Sequence, residues 1–489
     1  MPRVAIAAPN VAAAEAGEIV VEAGGNAVDA AIAAAFVTMV NEVGIVSPSS
    51  GGFLTVQPPD ADAVTVDGWM DMPGRDRPHR LGGGTWDVHT DYGGGVTVTI
   101  GPGSVATHGA IAACGEAHRR WGVLPWAELL APAIEVARGG FRLSAASRYY
   151  LQYVHDSIFG WDEASRRAIH DEDGRLTDGH LVVPDLAESL RRLADHGPQE
   201  AYTGDLGRAI AADVLDRGGL LGPDDLLAYA PVVRPALSAP MERWTLATNP
   251  PPAVGGVCVA AMLRLMGDHG IADRDHLVAV QRRVLGERLR VFDHTDDLER
   301  DAAAFLDLID REGLGVLESG STAQISTVDD AGRACALTIS SGYGSGMTAR
   351  GTGIWLNNCL GEQELNPRGL HGLPFGARLL SNMAPTVGRR DDGAVLAIGS
   401  PGADRITTAI VQALTALVRD GLPLAEAIAH PRVHVHRAGT LHEQVKIEDP
   451  GEPTMYFGGV AAAMLVDGRL DAAADPRRDG ATRIAAPRH

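Results

Sequence analysis

Near residue 320 the texture of the chain changes. Upstream, helical periodicity dominates; downstream, Gln324 to Val328 and Cys335 to Ser340 are strand-like runs separated by the turn residues Asp330, Ala331, Gly332 and Arg333. This pattern predicts a β-hairpin, and closing its turn brings Thr322 and Ser340 to the open end, facing each other. Thr322 follows Gly320-Ser321 directly. A threonine hydroxyl is a weak nucleophile unless a base sits beside it, and cutting the preceding peptide bond supplies one as the residue's own α-amine. On these residues alone the ordinary reading is a hairpin without chemistry, because Thr and Ser are common near strand ends and turns.

At 489 residues the chain exceeds the usual single-core limit of about 250 to 300 residues, so two domains or one large layered domain is expected. Apolar residues make up 45% and charged residues 21% of the sequence, which is the balance of an ordinary folded protein. The 42 Lys and Arg against 62 Asp and Glu leave a net charge of -20, which repels phosphate backbones and argues against nucleic acid as a partner. Cys114, Cys258, Cys335 and Cys359 are far apart and form no CxxC pair, so a reducing, cytoplasmic setting is expected. The apolar stretch before Pro9 is too short for a signal peptide and reads as a strand. The longest apolar run, Ala27 to Val40, is interrupted by Asp29 and falls short of the roughly 20 residues a membrane span needs.

Asn26 as N-cap, with Asp29 three residues on, predicts that Ala27 to Val40 is a buried helix. Further helices are expected at Trp126 to Arg138, Leu186 to His196, Ala209 to Arg217 and about Arg405 to Asp420. Strands are expected at Gly353 to Leu356, Ala394 to Ile398 and Val433 to His436, and Asp475 to His489 reads as a charged, poorly ordered tail.

The segment Thr322-Ala323-Gln324-Ile325-Ser326-Thr327-Val328-Asp329 resembles the start of the small subunit in the γ-glutamyltransferase family. Other matches run in the same order: Gly24-Gly25-Asn26-Ala27-Val28-Asp29, Leu130-Ala131-Pro132, Pro251-Pro252 with Gly255-Gly256, Gly344-Ser345-Gly346, Leu356-Asn357-Asn358, Ser381-Asn382-Met383-Ala384-Pro385-Thr386 and Gly399-Ser400-Pro401-Gly402. The resemblance implies an α/β fold, the four-layer αββα sandwich of the N-terminal-nucleophile hydrolases. It also implies autocatalytic cleavage between Ser321 and Thr322, leaving a large subunit 1–321 and a small subunit 322–489 packed as a heterodimer. By the family's mechanism the α-amine of Thr322 is general base for its own hydroxyl, Ser340 orients that hydroxyl, and the amides of Gly402 and Ala403 form the oxyanion hole. No cofactor or metal is implied, and the substrate is a small acyl compound.

The family's acyl pocket is less closely matched. Members that accept γ-glutamyl groups carry an arginine in an Asp-x-Arg-Glu motif, and here Trp69 takes that position within Val66-Asp67-Gly68-Trp69-Met70-Asp71. Arg75 or Arg77 would have to reach back to replace it. A family asparagine becomes Gly342 or is lost in a two-residue deletion, a glutamine after Asn357-Asn358 becomes Cys359, a nearby aspartate becomes Glu362, and a serine pair becomes Ser381-Asn382. Trp69, Asn358, Glu362, Ser381 and Asn382 are therefore the expected substrate-binding residues, for a substrate other than a plain γ-glutamyl amide. Trp69 is open to a second reading as a core aromatic, and Ala323-Gln324 in place of Thr-His bears on processing.

His434 and His436 share one face of a strand and read either as a metal pair or as packed histidines, with no third ligand nearby. Gly342-Tyr343-Gly344-Ser345-Gly346 reads as a turn lining the site. Two other functions remain open: a carbon-carbon bond hydrolase of the same family in alkylproline biosynthesis, and an unprocessed binding protein that keeps only the fold.

Overall fold

The computed structural model describes residues 1–77, 83–92, 95–312, 322–402, 405–438 and 442–488. Two antiparallel sheets form its centre. The first has seven strands in the order Ala481–Ala485, Val4–Ala8, Ala323–Asp329, Ala334–Ser340, Gly51–Gln57, Val64–Gly68 and Val232–Pro235. The second has six, in the order Arg469–Ala474, Ala461–Val466, Val395–Gly399, Thr386–Arg390, Trp244–Thr248 and Leu237–Met241. Their inner faces meet through small apolar side chains, Ala5, Val328 and Ala336 from one sheet and Val387, Ala397 and Ala463 from the other. Burying both faces of both sheets is what gives strands such as Val395–Gly399 and Gly51–Gln57 their unbroken burial.

Helices cover the two outer faces. Val11–Glu22, Ala27–Asn41 and Ala110–Trp121 lie on the first sheet, and Val254–Met266 and Arg405–Leu414 on the second. The result is the αββα sandwich that the sequence implied. Each sheet draws strands from both sides of residue 321: Ala323–Asp329 lies between Val4–Ala8 and Ala334–Ser340, and the latter pairs with Gly51–Gln57.

The helix Ala27–Asn41 is buried along its whole length, as its apolar run predicted. Its capping box forms: the Asn26 side chain accepts from Val28 and Asp29 N–H, and the Asp29 carboxylate accepts from Asn26 N–H at 3.0 Å. Asp29 also takes the Val123 N–H, so its burial is compensated by donors from two segments. Helices occupy Trp126–Gly139, Leu186–His196 and Asp205–Asp216, close to the expected bounds. The expected strand at Gly353 to Leu356 shortens to Ile354–Trp355, and the helix from Arg405 keeps α geometry only to Leu414 before widening over Thr415–Arg419. All four cysteines are buried and none is disulfide-bonded. No helix among the described residues is long and apolar enough to cross a membrane.

The reading of Asp475 to His489 as a poorly ordered tail is corrected. Ala481–Ala485 pairs with Val4–Ala8 as the edge strand of the first sheet. Asp475 and Arg477 are buried, with Asp475 bonded to Arg432 at 2.6 Å and Arg477 to Glu448 and Asp475. Charges tolerate such burial only when each finds a partner, and here the partners come from a segment some 25 to 45 residues upstream.

Candidate active site

The hairpin forms in the predicted register. Ala323 pairs with Ile339 and Val328 with Ala334, so one further step sets Thr322 opposite Ser340. Its turn is locked by Asp329, whose carboxylate accepts from the N–H groups of Ala331 and Arg333 and pairs with the Arg333 guanidinium at 2.8 Å. Thr322 and Ser340 are each only 2% exposed, so both lie in a largely water-excluded site. The Ser340 hydroxyl accepts from Gly342 N–H at 3.0 Å, and the Thr322 carbonyl accepts a long bond from Arg478 at 3.5 Å.

Gln324, which stands where the family has histidine, is a packing residue here. Its amide donates to Ile325 O and Ser326 Oγ and accepts from Thr338 Oγ1, tying together the two strands of the hairpin. A methyl group on Gly399 would lie 2.3 Å from the Gln324 amide, so the strand Val395–Gly399 passes directly over the start of the strand Ala323–Asp329. That strand leads into Gly402, at φ 118°, whose carbonyl accepts from the N–H of Arg405 at the start of the helix Arg405–Leu414. Gly402 thus lies beside the N-terminal end of that helix, which carries the positive end of its dipole. Ala403 and Ser321 fall outside the described residues.

The loop after Ser340 gathers two more expected residues. Gly342 adopts φ 68°, and a methyl group there would lie 2.4 Å from Asn358 Oδ1 and 3.0 Å from Glu362 Oε1. Asn358 is committed to backbone: Oδ1 accepts from Tyr343 N–H at 2.6 Å and Nδ2 donates to Thr99 O at 3.2 Å. It therefore shapes the Ser340 loop from behind. Burial, reinforced by the Glu362 carboxylate, pushes the Cys359 thiol well above its usual range and keeps it protonated. Sequence reasoning missed a buried hydroxyl cluster beneath this loop, in which Ser341 Oγ meets Ser50 Oγ at 2.8 Å and Ser47 Oγ at 3.1 Å.

Trp69 resolves as a core aromatic placed beside the site. Its ring is 1% exposed and stacks on Phe53, with centroids 6.2 Å apart and planes at 21°. Gly51, the partner of Ser340 in the sheet, leaves room for it: a methyl group on Gly51 would lie 2.8 Å from the indole. The indole N–H donates to Leu380 O at 2.8 Å, immediately before Ser381 and Asn382. The Ser381 carbonyl accepts the N–H groups of Val254 and Gly255, and Asn382 O would lie 2.0 Å from any methyl on Gly255. The pair is thereby fixed against the first turn of a helix.

Of the two arginines that follow Trp69 in sequence, Arg75 and Arg77, the first lies over Asp225 at 3.9 Å. The Arg77 N–H donates to Gly74 O in a turn at 3.0 Å. Arg378 does approach Trp69, but it is spent on the Trp69 carbonyl, the Tyr229 hydroxyl and the carboxylates of Asp67 and Asp71, at 3.5 and 3.2 Å. His434 is buried, with Nδ1 3.1 Å from Thr408 Oγ1.

Residues 13–485 match the family model described as gamma-glutamyltranspeptidase. The chain belongs to the gamma-glutamyltranspeptidase family. It is 29% identical to a glutathione hydrolase proenzyme of Pseudomonas aeruginosa, over 99% of this chain and 95% of that protein. It is 28% identical to an acylase ACY 1 proenzyme of Pseudomonas sp. strain V22, over 96% of this chain and 91% of the relative. In fold it is similar to a cephalosporin acylase from Bacillus halodurans, with a TM-score of 0.81 at 21% identity, covering 100% of this chain and 96% of the other. As a member of the gamma-glutamyltranspeptidase family the chain is an enzyme of the hydrolase and acyltransferase class.

Proposed function

We propose that this chain is an autoprocessing N-terminal-threonine hydrolase that acts through an acyl-enzyme on a small-molecule substrate other than a plain γ-glutamyl amide. Water adds across the Ser321–Thr322 amide, giving Ser321 a carboxylate and Thr322 a free α-amine. That amine takes the proton from Thr322 Oγ as the oxygen bonds to the substrate's acyl carbon. Negative charge collects on the former carbonyl oxygen, where the amides of Gly402 and Ala403 receive it. The leaving group departs with the proton, then water or an acceptor amine repeats the cycle and frees Thr322.

The observation that carries this reading is the burial of Thr322 and Ser340 one step beyond the Ala323–Ile339 pair, beside the strand that ends at Gly399 and leads into Gly402. The proposed fragments 1–321 and 322–489 remain one body because both sheets interleave strands from each. A glutamyl α-carboxylate lacks its usual partner here, since Trp69 is an indole and Arg378 is engaged elsewhere. Glutathione hydrolase and acylase relatives both use proenzyme forms by name, which supports self-processing. The test is N-terminal sequencing of the smaller fragment together with steady-state assay on γ-glutamyl-4-nitroanilide. Thr322 as first residue and poor turnover of that anilide are expected; any other first residue, or efficient turnover, overturns the corresponding half.

A further inference from the structure

A cleft of about 470 Å³ opens between the tyrosine-bearing helix Ala145–Val154 and the hairpin Val433–Ala438/His442–Ile447. Its walls include Tyr92, Tyr149, Tyr153 and Tyr456, with Arg405 and Lys446 on the hairpin side. None of Trp69, Glu362, Ser381 and Asn382 lines it, so it is a separate place from the acyl-binding positions discussed above. It nonetheless borders both loops that flank Thr322. On one side the Tyr92 ring packs edge-on against Tyr343, three residues past Ser340, with centroids 6.4 Å apart. On the other, Arg405 donates its N–H to Gly402 O, and neighbouring Gly458 lies 2.7 Å from where a Gly402 methyl would be.

The lining is rich in tyrosine and carries a lysine. Tyr92 meets Tyr149, Tyr150 and Tyr153 edge-on at 6.0, 5.0 and 6.0 Å, giving a wall of aromatic edges and faces. Arg405 stacks over Tyr456 at 4.7 Å and donates to the Tyr456 carbonyl, which fixes that ring. Lys446 is the only lysine in the 489-residue sequence. Its side chain is exposed at the cleft and makes no ion pair among the described residues. The other titratable groups lining the cleft are Asp91 and His436. In a chain of net charge -20, an ammonium placed here creates a local site for an anion that the rest of the surface repels.

We infer that this cleft holds a planar aromatic part of the substrate that bears a carboxylate, with the tyrosines receiving the ring and Lys446 the acid. The inference rests on the acyl-enzyme reading for its catalytic meaning, but binding to the cleft does not require catalysis.

The experiment therefore has two readouts. Fluorescence titration of 2-naphthoate, 2-naphthamide and cyclohexanecarboxylate against the full chain, the last by competition, reads the cleft; release of 4-nitrophenol from 4-nitrophenyl acetate, as a burst, reads the acyl-enzyme. The expected order of affinity is naphthoate, then naphthamide, then cyclohexanecarboxylate. Lys446→Met should weaken naphthoate by roughly three- to fivefold, the size of an exposed ion pair, and leave naphthamide alone. Lys446→Arg should retain naphthoate binding, and Tyr149→Ala should weaken both aromatic ligands. Equal affinities for the three ligands, no measurable naphthoate binding at millimolar concentration, or a Lys446→Met protein that binds naphthoate unchanged would overturn the inference. Absence of a burst with naphthoate binding intact would instead remove the acyl-enzyme reading.

Discussion

The indole N–H of Trp69 reaches the carbonyl of Leu380 at 2.8 Å, so an aromatic side chain anchors the segment that delivers Ser381 and Asn382. The same ring stacks on Phe53 and fills the space above Gly51, so it forms a fixed hydrophobic wall. Removing it should cost stability before it costs chemistry. Trp69→Ala is expected to lower unfolding stability by about 3 to 5 kcal/mol, and Trp69→Phe, which loses the hydrogen bond but keeps most of the packing, by about 1 kcal/mol. Urea denaturation monitored by circular dichroism measures both.

Gly342 has no room for a side chain. Its φ of 68° and the 2.4 Å approach to Asn358 Oδ1 mean that Gly342→Ala must strain the backbone and push Asn358 off the Tyr343 N–H. A loss of about 1 to 3 kcal/mol is expected, with slower acylation because the loop also donates Gly342 N–H to Ser340 Oγ. An unchanged melting temperature together with an unchanged burst rate would contradict this account of the loop.

Burial pulls His108 down to about 4 from an ordinary 6.5, against the opposing effect of a hydrogen bond between Nε2 and Ala201 O at 3.2 Å. The folded protein therefore holds this ring neutral over a range where the unfolded chain protonates it. Its contribution is complete above about pH 6.5 and falls as pH drops toward 4, by about 3 kcal/mol in all. Stability measured against pH should show that loss, and His108→Gln should flatten it; an equally steep acid limb in the variant would place the sensitivity elsewhere.

Asp475 balances Arg432 and Arg477 in a closed, buried set that also holds Glu448. Asp475→Ala leaves guanidinium groups buried with one carboxylate fewer, which should cost about 3 to 5 kcal/mol. Differential scanning calorimetry gives the comparison, and a variant within 1 kcal/mol of wild type would show that the set contributes little.

Much of the site was legible because its signals are local. Asp329, Gly332 and Arg333 specify the hairpin turn within five residues, and the turn alone fixes Thr322 against Ser340. The Asn26 and Asp29 cap is equally short-range. What escaped depends on distant partners. Ser47, Ser50 and Ser341 form one hydroxyl cluster only because strands almost 300 residues apart are neighbours. Arg477 looked like a solvated charge until Glu448 and Asp475 closed around it, and Ala481–Ala485 is a strand because Val4–Ala8 offers it an edge. Ala461–Val466 and Arg469–Ala474, rich in alanine, have little strand preference of their own and are held by sheet pairing. Trp69 was ambiguous for a related reason: register placed it at the site, while only the packing shows that it is walled in.

The central claim is that Thr322 becomes a chain start and carries the acyl group. Intact-mass spectrometry of purified protein before and after 4-nitrophenyl acetate tests it most directly. The account predicts two species bounded at residues 321 and 322, an acetyl increment on the smaller one mapping to Thr322, and an unlabelled, uncut chain for Thr322→Ala. A catalytically active wild type that remains a single uncut polypeptide, or an adduct that maps to another residue, contradicts it.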